Sequence, residues 1–108
     1  LIKIKETSEK LRNKISAKSI LLTLSKNGVY LNTENKSKHI SAFKREIIDV
    51  SGAGDTVLSV AALCLASKID PIKLSFLACL AGGLVCEEVG VKPINKIRLL
   101  DEALKHIK

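Results

Sequence analysis

The sequence predicts an α/β protein with its strands gathered early and its helices late. Two observations carry that expectation. Short apolar runs bounded by turn residues, Ile20 to Leu24, Val29 to Leu31 and His39 to Phe43, fall in the first half. Long apolar runs rich in small residues, Val57 to Ala66 and Pro71 to Glu88, fall in the second half. Runs of the first kind suit strands, and runs of ten residues or more suit buried helices.

Taken in order, an amphipathic pattern opens the chain, with Ile2, Ile4, Leu11 and Ile15 among lysines, and predicts a helix over Glu6 to Ser16. Ile20 to Leu24 is expected as a buried strand, and Gly28 turns the chain into Val29-Tyr30-Leu31. Asn32 to Asn35 has turn composition, and His39 to Phe43 alternates as a further strand. Ile47 and Ile48 end a short strand ahead of the second helix. Asp70-Pro71 sets an N-cap and a proline at the first helical position, for a helix reaching about Glu88, with Gly90 as its stop. Asn95 caps a last helix whose apolar stripe is Ile97, Leu100, Leu104 and Ile107.

The most informative stretch is Asp49-Val50-Ser51-Gly52-Ala53-Gly54-Asp55-Thr56, at a strand-to-helix junction. Unpaired backbone N–H groups and the positive helix end make such a junction a site for anions. Gly52, Ala53 and Gly54 have almost no side chain, so a phosphate oxygen can come close to their amides. Asp55 is out of place there, because a carboxylate repels an anion unless it serves the incoming nucleophile. The alternative is structural: Ser51 or Asp55 caps the helix and the glycines make a tight turn. Two other phosphate loops are excluded. There is no Gly-x-x-x-x-Gly-Lys-Ser/Thr, and Val57 stands where a dinucleotide fingerprint needs its third glycine.

Asp49-x-x-Gly52-Ala53-Gly54-Asp55-Thr56 resembles the C-terminal signature of the PfkB/ribokinase family of sugar and nucleoside kinases. Leu21-Leu22-Thr23-Leu24-Ser25-Lys26-Asn27-Gly28-Val29-Tyr30-Leu31 resembles that family's strand, glycine turn and return strand. Ala78-Cys79-Leu80-Ala81-Gly82-Gly83-Leu84-Val85 resembles its small-residue helix beside the adenine. The resemblance runs from about Ser19 to the end. It implies that residues 1–108 are the C-terminal nucleotide-binding portion of a ribokinase-like three-layer α/β/α domain, without the sugar-binding half and its lid.

The resemblance also implies roles. Asp55 matches the catalytic aspartate, and Gly52, Ala53 and Gly54 match the anion hole. Thr23, Ser25 and Gly28 match the segment near the ribose and phosphates, although a plain hairpin turn would use the same residues. Gly82 and Gly83 cost about 1 kcal/mol each relative to alanine inside a helix. Something must therefore approach that face, either an adenine or another helix. Cys79 stands where many members carry an asparagine that touches the nucleotide. ATP is the implied phosphoryl donor, with Mg²⁺ held mostly by phosphates and water. Asp49 and the Ser51 carbonyl match positions near a monovalent-cation (K⁺) site in some members. Val60 and Ser25 depart from the commoner residues of the family and resemble its heptose-phosphate kinase branch, as does Leu80 to Val91. That branch implies phosphorylation of the anomeric hydroxyl of a heptose 7-phosphate. The competing readings are another sugar or nucleoside kinase of the family, or a nucleotide-binding module without catalysis.

Charge and composition narrow the classes further. Residues 1–50 hold eleven Lys/Arg against five Asp/Glu, and residues 51–108 hold seven against six. Aromatics are 3% of the chain and no stacking platform appears, which argues against nucleic acid as a partner. The modest positive balance suits a phosphorylated substrate, and the resemblance implies ATP and a sugar or sugar phosphate as partners. Three cysteines without metal spacing predict reduced, buried thiols and a cytoplasmic protein. Leu74 to Val89 is too short and interrupted to span a membrane. His39 and His106 have no partners at ligand spacing. Because the resembled family's sheet continues beyond this stretch, the resemblance implies uncovered apolar edges, and with them marginal stability of the isolated chain or self-association; a homo-oligomer is expected.

Overall fold

A computed structural model describes residues 2–42, 50, 52–87 and 93–106. The elements are α1 (Ile2–Lys14), β1 (Ser19–Thr23), a 3₁₀ turn (Ser25–Asn27), β2 (Val29–Thr33), β3 (Ser37–Ile40), α2 (Ala53–Ala66), α3 (Pro71–Val85) and α4 (Lys96–His106). The predicted strand end at Ile47 and Ile48, the residues Asp49 and Ser51 expected near a cation, and the predicted helix stop at Gly90 lie outside the described residues.

The three described strands form an antiparallel meander in the order β1-β2-β3, with Leu21 opposite Leu31 and Val29 opposite both Thr23 and Ile40. Side chains alternate across a sheet. Val29, Ile40 and Leu21 join one core cluster with Val57, Val60 and Cys64 of α2 and Leu74, Ala78, Cys79 and Ala81 of α3. Asn32, on the opposite face of β2, receives a hydrogen bond from Arg12 of α1. The described residues thus make three layers, with α1 on one side of the sheet and the α2–α3 pair on the other.

Local chemistry explains the element ends. Ser16 takes the left-handed conformation (φ 54°), and Ala17 N–H donates back to Arg12 at 2.9 Å, closing α1. Lys68 (φ 60°) does the same for α2, with Ile69 N–H donating to Cys64 at 3.0 Å. Asp70 caps α3 by accepting from the amides of Ile72 (3.1 Å) and Lys73 (3.4 Å), as its pairing with Pro71 predicts. Asn95 caps α4 by accepting from Arg98 N–H at 3.0 Å.

Several expectations need correction. α1 begins at Ile2 and ends at Lys14, earlier at both ends than the lysine-flanked pattern suggested. Asn32 and Thr33 are strand rather than turn. The Thr33 hydroxyl accepts from Lys36 N–H at 2.9 Å, which tightens the turn onto Glu34–Lys36 and lets β2 run two residues further. β3 accordingly starts at Ser37. The stripe Ile97, Leu100 and Leu104 of α4 faces solvent, while Ala103, backed by Leu99, packs on Leu80 and Leu84 of α3. α2 is buried on one side only: Val57, Val60 and Cys64 face the core, and Leu58, Leu63 and Leu65 are exposed.

Candidate active site at the start of the second helix

Gly52 is the N-cap of α2, with φ 75° and ψ 0°, a left-handed conformation that glycine adopts without strain. Among the described residues no side chain caps this helix start. The Thr56 amide donates to the Gly52 carbonyl at 3.0 Å, and the Ala53 amide to the Val50 carbonyl at 3.2 Å. The amides of Gly52 and Gly54 meet no acceptor among the described residues. A Cβ built on Gly54 would find no atom within 4 Å, so the space above the turn is open. Asp55 is the third residue of α2, exposed, with no hydrogen bond or ion pair to a described residue. The described structure therefore gives Asp55 no capping bond, which weakens the structural alternative for it. Open donors and a free carboxylate on one helical turn can bind an anion and accept a proton beside it.

The other candidate residues lie along a chain of contacts leading to this turn. Thr23 ends β1, exposed, and Ser25 opens the 3₁₀ turn with φ 54°. Gly28 is at φ 91°, and a Cβ built there would overlap the backbone of Ile40, Ser41 and Ala42, so the end of β3 itself requires this glycine. The Ser41 carbonyl accepts from the Cys79 thiol at 3.9 Å. Cys79 is buried in the core, and burial pushes its thiol up, as it does for Cys64. One turn later, Gly82 meets α2 where a Cβ would stand 2.6 Å from Val57 Cγ2 and 3.7 Å from the Ala53 carbonyl. Helix α2 is therefore what approaches Gly82. Gly83 faces space with no atom within 4 Å of a built Cβ.

Histidines 39 and 106 are less isolated than their spacing implied. His39 Nε2 lies 2.6 Å from the Asn27 carbonyl, and the His106 ring meets Phe76 edge-on at 6.4 Å. Both line a cleft of about 290 Å³ with Lys38, Ile40, Ile72, Lys73 and Phe76. Among the described residues no three His, Cys, Asp or Glu side chains gather to hold a metal ion. No described helix is long and apolar enough to cross a membrane.

The profile of the pfkB family carbohydrate kinases matches residues 3–98. The chain belongs to that family. The bifunctional protein HldE of Koribacter versatilis is 42% identical over 79 residues, covering 73% of this chain and 16% of the relative. HldE of Shewanella piezotolerans is 36% identical over 97 residues, covering 89% of this chain and 20% of the relative. The chain thus spans no more than a fifth of these two relatives. Among solved structures, ribokinase from Thermotoga maritima superposes with a TM-score of 0.82 at 23% identity, over 94% of this chain and 34% of that one. Phosphofructokinase-2 from Escherichia coli in complex with potassium gives 0.84 at 15% identity, over 91% and 32%. The fold of this pfkB-family chain is ribokinase-like.

Proposed function

We propose that residues 1–108 form the C-terminal nucleotide-binding portion of an ATP-dependent sugar kinase whose acceptor is D-glycero-D-manno-heptose 7-phosphate, with heptose 1,7-bisphosphate as product. The observation that carries the reading is the start of α2, where, among the described residues, amides without an acceptor and an exposed Asp55 without a hydrogen-bond or ion-pair partner share one turn. In this reading Asp55 takes the proton of the anomeric hydroxyl. The hydroxyl oxygen bonds to the γ-phosphorus, the bond from that phosphorus to the β–γ bridging oxygen breaks, and ADP leaves. The amides around Gly54 receive the charge of the transferring group. Open space beside Gly83 suits the adenine end, and Thr23, Ser25 and Gly28 the ribose side.

Mg²⁺ accompanies ATP in this proposal. In this reading it is carried mostly by the phosphates and water. Support for the heptose acceptor comes from the HldE relatives. A potassium ion near Asp49 and Ser51 is supported only by analogy with the phosphofructokinase-2 complex.

The test is direct. The intact protein is given ATP·Mg²⁺ with heptose 7-phosphate, ribose or fructose 6-phosphate, and phosphorus NMR follows the products. A new anomeric phosphate on the heptose is expected. Turnover only with another sugar would move the acceptor elsewhere in the family, and ATP binding without turnover on any sugar would leave a nucleotide-binding module.

A further inference from the structure

The turn from Thr23 to Gly28 holds a strained backbone. Ser25 sits at φ 54° and Gly28 at φ 91°, and a positive φ at a serine persists only where its surroundings hold it. The turn supplies part of that hold itself. Leu24 N–H donates to the Gly28 carbonyl at 2.8 Å, Asn27 N–H to the Leu24 carbonyl at 3.0 Å, and Gly28 N–H to the Ser25 carbonyl at 3.1 Å. The Asn27 carbonyl is served from outside the turn. His39 of β3, twelve residues away and half-buried, donates to it from Nε2 at 2.6 Å. A carbonyl oxygen only accepts, so this contact fixes a proton on Nε2 and leaves Nδ1 of the neutral ring as an acceptor.

The end of β3 meets the turn a second time just beyond His39. The backbone of Ile40, Ser41 and Ala42 closes against Gly28, and the Ser41 carbonyl accepts from the Cys79 thiol of α3. The same strand end thus ties the turn to α3, which lies against the first turns of α2 through Gly82. We propose that His39 is a positioning residue for the nucleotide: through the Asn27 carbonyl it holds the Thr23–Gly28 turn in the shape that receives the ribose and phosphate end of ATP. This inference rests on the kinase reading and adds to it a residue that acts through the turn. Without the imidazole the turn keeps its internal hydrogen bonds, so the fold survives while the exposed tip relaxes. ATP must then restore the binding shape, which lowers affinity and leaves the transfer step unchanged.

The experiment compares the intact wild-type protein with His39→Leu and His39→Gln. Calorimetry with a non-hydrolysable ATP analogue and Mg²⁺ reads nucleotide affinity, and turnover of ATP with heptose 7-phosphate gives KM and kcat. In His39→Leu both the affinity and the KM for ATP should worsen about three- to tenfold, the range of one net hydrogen bond, with kcat within about twofold of wild type. His39→Gln carries an N–H donor at comparable reach and should recover most of the loss. Unchanged nucleotide affinity in His39→Leu, whatever its melting point, overturns this inference alone. So does a loss that His39→Gln leaves in place, because the ring's bulk and not its N–H would then be responsible. A wild-type protein that binds no nucleotide overturns the kinase reading and this inference together. Should His39→Leu not fold, nitrogen-15 NMR of the wild-type imidazole decides. A proton on Nε2 whose signal moves when the analogue is added is expected; a bare Nε2, or one that the analogue leaves unmoved, overturns the proposal.

Discussion

Gly82 of α3 and Val57 of α2 share one small volume: a Cβ on the glycine would stand 2.6 Å from the valine's Cγ2. That contact sets how closely α3 lies against the first turns of α2, and hence where the Gly52–Asp55 turn is held. It also separates two neighbouring glycines that look alike in sequence.

Gly82→Ala should destabilise the protein by about 1–3 kcal/mol, because overpacking a close helix contact outweighs the alanine's helix preference. Gly83→Ala meets open space and should stabilise by up to about 1 kcal/mol. Urea melts of the two variants check the opposite signs. On the proposed nucleotide site, Gly83→Ala should also weaken ATP binding, which calorimetry would detect.

Asp55→Asn should leave the melting temperature within a degree or so of wild type, since Asp55 makes no capping bond in the described structure. On the proposed mechanism turnover should fall by about 10²–10⁴-fold, with ATP affinity unchanged or slightly better. Near-normal turnover would remove Asp55 from the role of base.

Gly28→Ala should be among the most damaging single changes. The position combines φ 91° with a backbone wall formed by Ile40, Ser41 and Ala42, none of which is a flexible side-chain tip. A loss of more than about 2 kcal/mol is expected from strain and overlap together, seen as a shifted denaturant midpoint.

Burial raises the Cys64 and Cys79 thiols above the ordinary value of 9.0. Both are protonated, in the folded and unfolded states alike, well below that value, so their contribution is fully present there. Above it the unfolded thiols lose protons before the folded ones, and stability falls as pH rises. A denaturation series from pH 7 to pH 10.5 should show that decline, reduced in Cys79→Ala relative to wild type. Thiol-reactive dye should label both residues slowly until the chain unfolds.

What the sequence made legible was mostly local. The Asp70-Pro71 and Asn95 caps are side chains bonding amides two or three residues away, so they follow from residue type. The glycine at position 52 is likewise a local need, a left-handed cap before a helix. Relationships across the fold were not legible. Arg12 and Asn32 are twenty residues apart and carry no periodic signal. Gly82 pointed to a close neighbour without saying whether it was ligand or helix. In α4, apolar residues occupy so wide an arc that either of two stripes might have faced α3. Leu99 and Ala103 do, because the small Ala103 allows close approach to Leu80 and Leu84.

The meander has a consequence for the order of events during folding. Every described strand pairs with its neighbour in sequence, across a turn of residues 24–28 and another of residues 34–36. Closing such short loops costs little chain entropy and takes microseconds. The sheet can therefore assemble hairpin by hairpin as soon as residues 19–40 are free, without waiting for α2 and α3 to cover it. On the proposed site, the Gly52–Asp55 turn is held by α3 through Gly82, so its assembly is expected late in folding. Pulse-labelled amide exchange should show β1 to β3 protected before α2, and the reverse order would sink this account.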